Sequence, residues 1–140
     1  MTTVNRATVD IIEQLRGIVD PVVRLRALFA TSLGDVIDGP LDAALAVAVN
    51  DRVVGAAVRR VTRRRVEFLE RLFADMGFTP AKARTRARIA YSTYIGHFHV
   101  SRALDDYGDL DGSLDAYIDQ LVASLAADRP ASAAGISVSA

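Results

Sequence analysis

Five arginines fall within seven residues, Arg59, Arg60, Arg63, Arg64 and Arg65. Guanidinium groups at that density are able to neutralise phosphates. No aromatic residue interleaves with the run, and Glu67, Glu70 and Asp75 follow at neighbouring turns, where they would balance it. The run therefore reads as the solvated face of a long helix rather than as a phosphate patch. His97 and His99 are the second group. Two residues apart on a helix, they point about 200° apart, whereas a helical metal pair needs a spacing of three or four. There is no His-Glu-x-x-His and no cysteine, so no metal site is expected. His97 alone has the option of bonding a ligand, but the preferred reading is a surface or internally satisfied core histidine. The third group is the acidic loop "DDYGDLDG". Asp109, Asp111 and Gly112 resemble part of a calcium-binding loop, but the register puts Tyr107 at the first ligand position and Ile118 at the last. The loop reads as a solvated turn with helix-capping duty. No nucleophile elbow, phosphate-cradling glycine loop or spaced Ser-His-Asp set is present. No catalytic residue, no cofactor and no enzymatic activity are expected.

The composition narrows the class further. A chain of 140 residues, 51% hydrophobic, fits one domain with a modest core. Its formal net charge is zero, which argues against a general polyanion binder. The absence of cysteine excludes disulfides. No apolar run approaches the roughly 18–20 residues of a membrane span, and "MTTVNRATVD" does not read as a signal peptide. Sixteen arginines against the single Lys82, with abundant Ala, Val and Asp, suggest GC-rich codons, hence a bacterial cytoplasmic protein.

The elements that must position these residues are helical nearly throughout. A first amphipathic segment runs from Thr3 to Ile18, with Val4, Ala7, Ile11, Ile12 and Leu15 at helical spacing. Asp20 caps a second helix with Pro21 at its first position, and Leu25, Leu28, Phe29, Ser32, Leu33 and Val36 form its stripe. A short Ala- and Val-rich helix spans Pro40 to Asn50. The fourth, Asp51 to Met76, carries Val54, Val58, Val61, Phe68, Leu72 and Met76, widened by Leu69 and Phe73. Gly77 suits a helix stop, and Thr79–Pro80 starts a fifth helix running to Leu104. Phe78 between them would tuck into the core and fix the angle, making the two helices antiparallel neighbours. A last helix spans Ser113 to Ala127, capped by Asp111 or Ser113. Residues 128–140 read as a flexible tail. The expected fold is all-α, with six helices.

The fifth helix is apolar or small on two sides. Ala87, Tyr91, Tyr94 and Phe98 share one face; Ile89, Thr93, Gly96 and Val100 share the opposite one. One face packs on this chain's core, and the other is assigned to a second copy. Gly96 in mid-helix costs about 1 kcal/mol against Ala, which a close helix–helix approach would offset. The last helix also has a broad stripe, so two helices per subunit would build a four-helix interface in a two-fold homodimer.

The stretch "RRRVEFLERLFADMGFTPAKARTRARIAYSTYIGHFHV", Arg63 to Val100, resembles the C-terminal regulatory domain of the TetR/AcrR family of transcriptional repressors. "DPVVRLRALFATSL", Asp20 to Leu33, resembles the helix that follows the linker helix in that family. The resemblance covers roughly Thr8 to Ala127 and implies one domain over residues 1–127. It implies dimerisation through the last two long helices, with Ile89, Thr93, Gly96, Val100, Tyr117 and Leu121 meeting the partner. It also implies a pocket for a small apolar or amphipathic effector, lined or neighboured by Phe29, Leu33, Val54, Val58, Tyr94 and Phe98. The family's N-terminal helix-turn-helix, which enters the major groove, has no counterpart in these residues. DNA binding is therefore expected only through a head lying outside them. The alternative is a stand-alone helical interaction module that pairs with a partner and does not itself bind DNA.

Overall fold

The structure, a computed structural model, describes residues 10–34, 52–104, 107 and 113–130. Among these residues the secondary structure is helical, without a strand. A helical stretch over 10–15 precedes four helices: α1 (Pro21–Gly34), α2 (Arg52–Asp75), α3 (Pro80–Ala103) and α4 (Ser113–Ala126). The first stretch ends three residues short of the expected Ile18. Arg16 and Gly17 form a turn there, and the glycine favours leaving the helix. Val4, Ala7, Val36, the Pro40–Asn50 helix, Asp109, Asp111 and Gly112 lie outside the described residues.

The corner between α2 and α3 is built from four consecutive residues. Gly77 has φ of 101°, a conformation that suits glycine. Its N–H donates to the Ala74 carbonyl at 2.9 Å, and the Phe78 N–H donates to the Phe73 carbonyl at 3.3 Å. These are the two bonds of a Schellman stop, and the accompanying apolar contact is the Phe73–Phe78 ring pair, with centroids 6.3 Å apart. Thr79 Oγ1 then accepts from the Lys82 N–H at 3.4 Å, and Pro80 opens α3. Phe78 is buried, as expected. The result is a hairpin in which α2 and α3 make the most extensive helix pair among those described. Ala83, Ala87 and Ala90, all buried, supply the small seam that lets the two backbones approach.

Helix α1 lies across this hairpin. Asp20 caps it, with Oδ1 accepting from the Val22 N–H at 2.8 Å. Leu25 and Phe29 reach the same core as Leu69, Leu72, Phe73, Phe78 and, from α4, Ile118, Val122 and Leu125. Three arginines stitch the outside. Arg24 bonds Asp75 at the end of α2 at 3.1 Å and the Ile18 carbonyl at 3.0 Å. Arg26 places two nitrogens, Nε at 2.9 Å and Nη2 at 2.7 Å, on Asp119 of α4. Arg86 of α3 stacks 3.9 Å over the Phe78 ring and donates to the Leu125 and Ala127 carbonyls at 3.0 and 3.1 Å, capping the end of α4. Beyond that cap, Pro130 comes to rest beside Gly77.

Candidate functional site

Helix α3 presents two unlike faces. On the inner one, Tyr91, Tyr94 and Phe98 continue the alanine seam as an aromatic ladder, Tyr91–Tyr94 at 5.8 Å and Tyr94–Phe98 edge-to-face at 5.1 Å. The Arg65 guanidinium sits 5.9 Å from the Tyr94 ring centroid. On the outer face Ile89 is 49% exposed, Thr93 bonds back to the Ile89 carbonyl at 2.8 Å, and Val100 is half-buried. A Cβ added at Gly96 would meet nothing within 4 Å. Among the described residues, no close helix approach accounts for that glycine.

The residues assigned to a pocket divide. Phe29 and Leu33 are core residues, 2% and 5% exposed, and Tyr94 packs against the same core. Phe98 is buried and joins it through the edge of Tyr94. Val58 is half-buried on α2, outside that cluster, and the Val54 side chain lies outside the described residues. Tyr117 and Leu121, assigned to the partner surface, are half-buried and each has one side on this chain's core.

His97 is the residue whose state departs most from the sequence reading. It is not on the surface, being 7% exposed, and its buried Nδ1 has no hydrogen-bond partner among the described residues. Aromatic rings surround it, Tyr117 stacked at 5.9 Å, Tyr107 at 5.5 Å and Phe98 edge-on at 5.6 Å. Burial lowers its pKa from the ordinary 6.5 and so favours the neutral imidazole. Burial also raises the Tyr117 phenol, and the nearby Tyr107 adds to that shift. His99 is exposed on the other side of the helix, as a two-residue spacing requires. Among the described residues no group of three or more His, Cys, Asp or Glu is placed to hold a metal.

The arginine run lies on a solvated face of α2, as its sequence suggests. Arg59, Arg60, Arg63 and Arg64 are exposed and, with Ala56 and Glu67, line an open depression of about 500 Å³ along α2. Asp75 is bonded to Arg24, and among the described residues Glu67 and Glu70 make no ion pair with Arg59, Arg60 or Arg63. The geometric reason is that Asp75 sits at the helix end, where α1 delivers a closer cation.

No family model, no curated protein and no solved structure matches this chain. Among the described residues no helix is long and apolar enough to cross a membrane.

Proposed function

We propose that this chain is a dimerising regulatory domain of the TetR/AcrR type, in which a small apolar or amphipathic effector biases the geometry of a two-fold pair. DNA would be contacted by a helix-turn-helix head outside these residues. The observation that carries the reading is the outer face of α3. A glycine in mid-helix costs about 1 kcal/mol relative to alanine. Gly96 bears that cost with no neighbour among the described residues that needs it small. A second copy laid on Ile89, Thr93, Gly96 and Val100 would supply that neighbour. The His97–Tyr117 stack joins α3 to α4, the two helices assigned to the interface. An effector that parts or orders that stack would act on the interface directly, by favouring one arrangement over the other.

The test is light scattering at about 10–100 µM, a range in which an obligate pair stays associated. The wild type is expected to run as a dimer, and Gly96→Leu as a folded monomer with unchanged helical circular dichroism. Gly96→Ala separates the cases further. In a dimer it weakens association. In a monomer it raises stability by up to about 1 kcal/mol, because nothing obstructs the new methyl. A wild-type monomer stabilised by Gly96→Ala would retire the proposal.

A further inference from the structure

We propose that the His97–Tyr117 stack is an acid-released latch, holding the first half of α4 against α3 at neutral pH and letting it go when the imidazole takes up a proton. Among the described helices α4 packs its backbone closely on α1 and not on α3. Side chains tie it to α3 at two places. Near the end of α4, Arg86 donates to the Leu125 and Ala127 carbonyls. Near its start, the rings of His97 and Tyr117 are stacked, 5.9 Å apart and 26° from parallel. At 1.5 Å of rise per residue the two ties are about 12 Å apart along α4. If the stack parts, Arg86 remains as a pivot at the far end.

The two ties answer differently to acid. A guanidinium keeps its charge at any ordinary pH, so the Arg86 tie is indifferent. An imidazolium carries N–H donors on both ring nitrogens, and the buried Nδ1 of His97 has no acceptor among the described residues. The titratable groups that face the ring there are Tyr117 of α4 and Tyr107 of the turn after α3. Neither is a carboxylate. Asp115 and Asp119 lie two positions either side of Tyr117, off the stacked face of α4, and Asp119 is bonded to Arg26. From α2 the charged group on this aromatic ladder is Arg65, at the Tyr94 ring, a second cation rather than an acceptor. Tyrosine faces attract a cation, yet burial still holds the imidazole below its ordinary 6.5, so the lost water outweighs that attraction. Parting the rings returns His97 to water and restores its ordinary affinity for the proton. The open form therefore binds more protons below pH 6.5, and acid favours it. The seam lies within one chain, so the inference does not rest on the pairing of two copies.

The experiment is native-state hydrogen exchange on the full chain at pH 7.5 and pH 5.5, corrected for intrinsic exchange rates. Amides of residues 117–121 are expected to exchange through an opening of lower free energy than global unfolding, read from urea melts at the same pH. That opening constant should rise roughly three- to tenfold on acidification, the range for uptake of one proton at one site. His97→Gln and His97→Phe, neither of which titrates, should each abolish the rise, and His99→Gln on the exposed side should retain it. A rise that persists in whichever His97 variant folds overturns the proposal, as does an α4 that exchanges only together with α2 through global unfolding. Protection that increases in acid also overturns it, because a carboxylate would then be meeting the imidazolium.

Discussion

A buried ring nitrogen with no partner is a cost of roughly 1–3 kcal/mol that a folded chain ordinarily avoids. His97 bears it inside an aromatic cage. In the unfolded chain this imidazole takes up a proton near its ordinary 6.5, whereas burial in the folded chain delays that uptake to lower pH. The unfolded state therefore binds more protons through that interval, and stability falls as pH drops below about 6.5. Urea melts between pH 8 and pH 5 should show that decline in the wild type. His97→Phe should flatten it and raise the midpoint at every pH, because a ring of similar shape replaces an unsatisfied one. A variant with the wild-type slope would assign the pH dependence elsewhere. Periodicity in the sequence places residue 97 beside the inner face, but it carries no information on whether a polar atom finds a partner there. That depends on which rings arrive from residues 107 and 117.

At the scale of elements, the corner at Met76–Thr79 was legible because every instruction in it is local. A glycine stop, an aromatic plug, a threonine cap and a proline start act on neighbours within one turn. Gly77→Ala should cost about 1–2 kcal/mol, since an L side chain is disfavoured at positive φ even where space exists. Equilibrium urea unfolding would read this directly, and no loss would mean the corner relaxes to another turn. Arg86→Ala should cost a similar 1–3 kcal/mol by removing two charged donors from carbonyl groups at the end of α4 and the stack on Phe78. The second effect was not legible, and neither were the Arg24 and Arg26 contacts. Their partners lie 51 and 93 residues away, and no period in a sequence encodes a pairing at that separation. Asp75 illustrates the point. Read along its own helix it belongs with the arginine run, and only the arrival of α1 reassigns it.

For the whole molecule, the all-helical class and the two apolar faces of α3 followed from apolar spacing, which does not say which face meets the chain's own core. The same spacing does not separate a packed core from a cavity, because both are lined by the same side chains. Phe29 and Leu33 are core residues for that reason, although the family resemblance placed them near a pocket. The arrangement of the clamps also bears on the order of assembly. The α2–α3 hairpin closes across a four-residue corner, so it forms at little loop-closure cost. Arg26 and Asp119 join α1 to α4 across 93 residues, so that seam closes late and opens early. Native-state hydrogen exchange should find α1 and α4 exchanging through a lower-energy opening than α2 and α3. A single exchange free energy across all four helices would show that they open as one unit.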